Sequence, residues 1–186
     1  MLTCMMTNSV QWARNKHLNP KGIVIHSSGR KSPYLRRYVQ PSQSDPQFKE
    51  LQEILGTNKK KVDWNHRRTQ HNFHYWIGKT ADKKVTTIEA FPLTIKTWLH
   101  DSYIHICICE DGLKDKKYLR NCLSELVVLC EKLCTQFNWG TDKIYDNSEI
   151  SDLTPDSNYW LEKHGYSIDW VRNEVDKIWQ NKKFSV

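Results

Sequence analysis

The run Lys21-Gly22-Ile23-Val24-Ile25-His26-Ser27-Ser28-Gly29 decides how this chain is read. Pro20 precedes it, three β-branched residues fill its centre, and Ser27-Ser28-Gly29 ends it. Such a pattern predicts a short buried strand that delivers His26 at its C-terminal end. An apolar run that finishes on an ionisable imidazole is a common way to place a reactive side chain on a rigid support.

Downstream, Asp45-Pro46 predicts a helix start, with a capping carboxylate and a proline in the first turn. Phe48, Leu51, Ile54 and Leu55 form its apolar face, and Gly56 closes it. From Asn58 to His74 the periodicity fades and Lys59, Lys60, Lys61, Arg67 and Arg68 accumulate, which reads as a basic surface loop. Strands are expected around His74–Ile77, Val85–Phe91 and Tyr103–Cys109, with Ala81-Asp82-Lys83-Lys84 as a hairpin turn. In the last strand Ile104, Ile106 and Ile108 share one face, while Tyr103, His105, Cys107 and Cys109 share the other.

A long helix is expected from Asp115 to Phe137, with Leu119, Cys122, Leu123, Leu126, Cys130, Leu133 and Phe137 as its core stripe. A final helix after Ser167 turns Val171, Val175 and Ile178 inward. The fold class is therefore α/β: a central mixed β-sheet flanked by helices, in a single domain over residues 1–186.

Composition narrows the function classes. The 186 residues carry a net charge of +7, and eight Trp, eight Tyr and five Phe supply ample bulk for a core, which excludes a disordered chain. No apolar run approaches the ~20 residues of a membrane span. Met1–Met6 lacks a basic start, and Gln11, Arg14, Asn15 and Lys16 interrupt any apolar stretch, so no secretion signal is read and the expected location is cytoplasmic. All six cysteines are expected to be reduced. Cys122, Cys130 and Cys134 behave as small hydrophobes on the long helix.

Several runs, in order, carry a resemblance. They are Lys21–Gly29, Leu35-Arg36-Arg37-Tyr38-Val39-Gln40-Pro41, His74-Tyr75-Trp76-Ile77-Gly78-Lys79, Ile108-Cys109-Glu110-Asp111-Gly112-Leu113, and Tyr159-Trp160-Leu161-Glu162-Lys163-His164-Gly165. Across residues 20–180 the chain resembles the zinc N-acetylmuramoyl-L-alanine amidases, the type-2 amidase or peptidoglycan-recognition fold, and more specifically those of clostridial-type phage endolysins. The resemblance implies Zn²⁺ on three protein ligands with one position left for the attacking water.

Only the first ligand position, His26, keeps its imidazole. The family's Asp-His-Ser-Glu reads Asp146-Asn147-Ser148-Glu149 here, and its His before Trp reads Tyr159 before Trp160. Cys107 stands where a Glu is expected, and Trp98 lacks the neighbouring histidines. The expected site is thus a vestigial cleft of His26, Asn147, Tyr159 and Lys163, with His26 the sole retained metal ligand. The candidate ligands of a rearranged zinc site are His105, Cys107 and Cys109, or Asp146, Asp156, His100 or His164 beside His26.

A second candidate surface is basic. Lys59, Lys60, Lys61, Arg67 and Arg68, with Lys79, Lys83 and Lys84, interleave with Trp64, His66, Phe73 and Trp76. Together with Trp98, this set is the candidate binding surface for a polyanion or an acidic partner. The first functional expectation is a catalytically degenerate amidase-fold protein, phage-related, binding a muropeptide, a host protein or a nucleic acid. The alternative is an active zinc amidase that hydrolyses the bond between N-acetylmuramic acid and L-alanine.

Overall fold

The computed structural model describes residues 1–59, 63–69, 71–98, 102–112, 115–150 and 158–183, without the side chains of residues 158, 159 and 183. Lys60, Lys61, Leu99, His100 and Asp156 lie outside the described residues, as does the side chain of Tyr159. The strands are β1 (Leu2–Thr3), β2 (Ile23–Ser27), β3 (Tyr75–Lys79), β4 (Val85–Glu89), β5 (Ile104–Ile108) and β6 (Ile144–Asp146). The helices are α1 (Val10–Arg14), α2 (Phe48–Leu55), α3 (Lys116–Phe137), α4 (Asn147–Ile150), α5 (Asn158–Lys163) and α6 (Ile168–Lys183).

One sheet of six strands runs β1-β4-β3-β5-β2-β6. β3 and β4 form the expected antiparallel hairpin, and the remaining neighbours are parallel. β2 lies in the interior of the sheet, all five of its residues are buried, and it pairs with β5 from Ile23↔Ile104 to Ser27↔Ile108. Strands covered on both faces read as near-continuous apolar runs, which is why Ile23-Val24-Ile25 shows no alternation.

The alternation in β5 divides the core. Ile104, Ile106 and Ile108 join Ile23, Ile25, Ile77 and the apolar stripes of α3 and α6 on one side. Cys107 and Cys109 join Trp76, Tyr38, Leu35, Leu51, Leu55 and Phe73 on the other. Asp115 caps α3 by accepting the Tyr118 N–H at 2.9 Å, and Asn138 ends the helix in the left-handed conformation. Both ends fall where the sequence placed them.

Two expectations need correction. α2 begins at Phe48, because the Asp45 carboxylate accepts the Gln47 N–H at 2.8 Å in a local turn instead of capping a helix at Pro46. The segment from Asn58 to His74 is not a solvated loop throughout: Asn65, Asn72, Phe73 and His74 are buried. Polar side chains anchor it. Asn65 Nδ2 donates to the Gln40 carbonyl and to Ser42 Oγ, and its Oδ1 accepts the Asn8 N–H. Such bonds let a polar loop fold inward without orphaned groups.

Candidate functional site: a covered histidine cluster

His26 projects from β2 onto the side of the sheet that holds Trp76 and Cys107, and it is 3% exposed. Its Nε2 lies 2.9 Å from Nδ1 of His105 on the adjacent strand β5. A hydrogen bond at that distance needs one nitrogen protonated and the other bare, so the two rings share a single proton at the contact. Rings cover the pair. Trp98 stacks on His105 at 4.8 Å with an interplanar angle of 15°, and its centroid is 5.0 Å from His26. Phe73 meets His26 edge-on at 5.0 Å. Trp98 is pinned by its Nε1–H, which donates to the Asn72 carbonyl at 2.8 Å, and His71 packs on its ring at 4.5 Å.

His74 supports this arrangement from behind. Its Nδ1 receives the His105 backbone N–H at 3.0 Å and its Nε2 faces the Ile95 carbonyl at 3.0 Å. A backbone N–H only donates and a carbonyl only accepts, so His74 is the neutral Nε2–H tautomer. Burial drives its pKa down to about 3. Burial, then the neighbouring His105 and His71, holds His26 well below the ordinary imidazole range.

The other expected positions carry different chemistry. Cys107 sits opposite His26 in the β2–β5 register, fully buried, with burial raising its thiol pKa well above the ordinary value. A neutral buried thiol is a small hydrophobe, not a substitute for a carboxylate. Cys109 is buried in the same way, which leaves His105 as the polar member of that strand face nearest His26.

Asn147 opens α4 one residue beyond the Ile25↔Asp146 pair and is 4% exposed, which sets it beside the end of β2. The acids of Asp146-Asn147-Ser148-Glu149 bind backbone. Asp146 Oδ1 accepts the Ser148 N–H at 2.7 Å, and Glu149 Oε2 accepts the Asp146 N–H at 2.8 Å, a reciprocal cap. Arg172 holds Glu149 at 2.8 Å and donates to the Ile144 carbonyl. Tyr159 lies on α5, and Lys163 ends that helix, exposed. His164 packs edge-on against Trp160.

Two quoted runs lock one another. Ser27 Oγ donates to Glu110 Oε1 at 2.7 Å, the Gly29 N–H donates to the same oxygen at 2.8 Å, and the Glu110 N–H donates to Ser28 Oγ. Their role here is to join the ends of β2 and β5.

No family model matches the chain, and no curated protein sequence is detectably similar to it. Solved structures are similar. A mutant of PlyL superposes with a TM-score of 0.57 at 15% identity, covering 87% of each chain. The catalytic domain of PlyG gives 0.55 at 14% identity, covering 86% of this chain and 83% of that one. Staphylococcus aureus hydrolase AmiA, determined in complex with its ligand, gives 0.59 at 14%, covering 93% of this chain and 79% of that one.

The chain has the amidase fold. At such identities the likeness concerns the fold alone: a mixed six-stranded sheet flanked by helices, as in amidase-type endolysin catalytic domains.

The zinc centre that the resemblance implies would draw on His26, on the position of Asn147 and on that of Tyr159, whose side chain lies outside the described residues. Zn²⁺ takes Cys, His or carboxylate ligands. Here Nε2 of His26 is bonded to His105, Asn147 offers only an amide, and the Asp146 carboxylate caps a helix. Among the described residues no group of three or more His, Cys, Asp or Glu converges in a metal-binding arrangement.

The basic surface also differs from expectation. Trp76 is fully buried and stacks on Tyr38 at 4.8 Å, while Trp64 packs edge-on against Trp76 at 5.1 Å. Trp76 and Phe73 are core, and Trp64 is partly buried against them. Trp98 likewise faces the histidines. Lys79 is held by Asp115 at 3.0 Å over the Tyr118 ring. Arg67 and Arg68 are exposed, and Lys59 lines a different cleft, together with Arg36 and Arg37.

His105 and His74 are the site residues that sequence reading undervalued. Alternation put His105 on the correct face, but the parallel β2–β5 register that sets it against His26 is invisible in a linear chain.

Proposed function

We propose that this chain is a non-catalytic amidase-fold protein that acts by binding. The observation that carries the reading is the contact of His26 Nε2 with His105 Nδ1 beneath Trp98 and Phe73. One ring nitrogen of His26 is already engaged, and the ring is shut away from solvent. Asn147, Tyr159 and Cys107 support the same conclusion by their chemistry, since catalytic zinc needs three protein ligands and an open position.

The partner that fits the resemblance is a peptidoglycan fragment, a muropeptide held along the surface above the covered histidines. The burial of Phe73 and Trp76 argues against single-stranded nucleic acid, whose binding relies on exposed aromatic rings. Among the described residues no helix is long and apolar enough to cross a membrane.

The test is zinc analysis of the purified protein, followed by zymography on cell walls and titration with muropeptides. Binding without lysis, at well under one equivalent of zinc, is the expected result. Stoichiometric zinc with wall lysis replaces this reading with that of an active N-acetylmuramoyl-L-alanine amidase.

A further inference from the structure

A cleft of about 480 Å³ opens between the 3-10 turn at Leu35–Arg37 and the segment that follows α2. Its cationic lining is Arg36, Arg37 and Lys59, its neutral polar lining includes Ser32, Tyr34 and Asn58, and among the described residues no acidic side chain lines it.

Arg36 is the centre of this site. It is half-buried, and its guanidinium carbon lies 4.1 Å from the centroid of the Tyr34 ring. Among the described residues it forms no ion pair. Burial raises the Asp63 carboxyl above its ordinary range and the charge of nearby Arg37 partly offsets this, so Arg37 has an acidic neighbour while Arg36 and Lys59 are the principal cations of the cleft.

The two walls are tied together before anything binds. Gln40 Nε2 donates to the carbonyls of both Arg36 and Gly56 at 3.2 Å. Gly56 lets the guanidinium lie close, since a Cβ there would stand 3.2 Å from its Nη1. A planar guanidinium held over a ring, with its walls fixed, loses little freedom when it grips an oxyanion in bidentate fashion.

We propose that this cleft binds a phosphate group carried on a ligand of sugar or nucleotide size. The volume suits such a ligand and is too small for a folded partner. The lining supplies positive charge and hydroxyl or amide donors with no competing carboxylate. The site is separate in chemistry from the covered histidines and does not depend on whether those are catalytic.

The test uses the full chain and three probes: inorganic pyrophosphate, glycerol phosphate and a nucleoside monophosphate. Binding is followed by thermal shift and calorimetric titration. At least one probe should raise the melting temperature, and its affinity should weaken as salt increases. Arg36→Gln should weaken that binding by about tenfold or more. Lys59→Gln, at an exposed position that folding does not need, should weaken it by a smaller factor, and Arg68→Gln should leave it unchanged.

A nucleotide bound in preference to glycerol phosphate assigns a nucleoside source, and the reverse preference assigns a polyol phosphate; both support the site. Failure of all three probes at millimolar concentration overturns it. So does wild-type affinity in Arg36→Gln. If Arg36→Gln does not fold, wild-type affinity in Lys59→Gln overturns it instead.

Discussion

Nε2 of His26 and Nδ1 of His105 face one another at 2.9 Å across two parallel strands, and His105 is fixed in turn by its own backbone N–H on Nδ1 of His74. This chain of contacts turns a position that could present a metal ligand into an internal hydrogen bond. Its neighbours are aromatic rings and buried thiols, and burial holds His26 and His74 below the ordinary imidazole range.

On the proposed reading, building a three-ligand zinc site around His26 depends on His105. Asn147→His with Tyr159→His supplies two imidazoles, yet His26 stays engaged by His105. Adding His105→Ser should free it, and zinc uptake should rise by about tenfold or more over the double variant, because a third ligand completes the set. Elemental analysis and the spectrum of the cobalt-substituted protein read the result. Equal uptake in the double and triple variants would show that His105 does not block the site.

Stability should fall as pH drops from 7 toward 5.5. His74, with a pKa lowered to about 3 from 6.5, and His26, also lowered, stay neutral in the folded chain while their unfolded counterparts take up protons. The unfolded state then binds more protons, so each group contributes a loss approaching about 1.4 kcal/mol per pH unit below the unfolded value. Stopping near pH 5.5 avoids Asp63 and Glu89, whose raised pKa values act in the opposite sense. Urea denaturation at intervals of pH measures the slope, and His74→Gln should reduce it.

The thiols should resist modification in the native state. Burial pushes Cys4, Cys122 and Cys134 up to about 12, and drives Cys107, Cys109 and Cys130 well above the ordinary value. Ellman's reagent should react slowly with all six until denaturant is added. Rapid labelling of Cys122 or Cys130 without denaturant would contradict the packing of α3 on the sheet.

Truncating Trp76 of β3 or Phe73 of the loop should cost stability before it costs binding. Trp76→Ala removes a fully buried side chain and should destabilise the fold by about 3–5 kcal/mol. Phe73→Ala belongs to the same range, and both should lower the denaturant midpoint. A variant that kept its midpoint while losing polyanion binding would return these rings to the surface role their sequence position first implied.

The cap of α3 separates two contributions. Asp115→Ala should cost about 0.5–2 kcal/mol because the Tyr118 N–H loses its acceptor. Asp115→Asn keeps an acceptor and loses only the exposed pairing with Lys79, so its cost should be smaller. Thermal denaturation of the two variants side by side distinguishes them.

Much of the fold could be read locally. Ile23-Val24-Ile25 marks an interior strand because both its faces are covered, the period of α3 marks its core stripe, and Asp115 and Ser167 mark where helices begin. These signals lie in neighbouring residues, and the chain obeys them because each element must bury one face and satisfy its own ends. That Asn147 is an amide and Tyr159 a phenol, where the resemblance implies imidazoles, is equally plain, being a matter of residue identity.

Tertiary structure alone decided what surrounds His26. The β2–β5 register brings His105 to it from a distant point in the sequence, and the return of the loop over Trp76 buries Phe73 and packs one side of Trp64 and Trp98 against the core. The same folding joins Lys59 to Arg36 and Arg37 in one cleft, where sequence grouping had set it with Arg67 and Arg68. The reason is physical: composition gives each residue its charge and bulk, but the burial of an aromatic or the partner of an imidazole depends on which distant backbone the sheet places beside it.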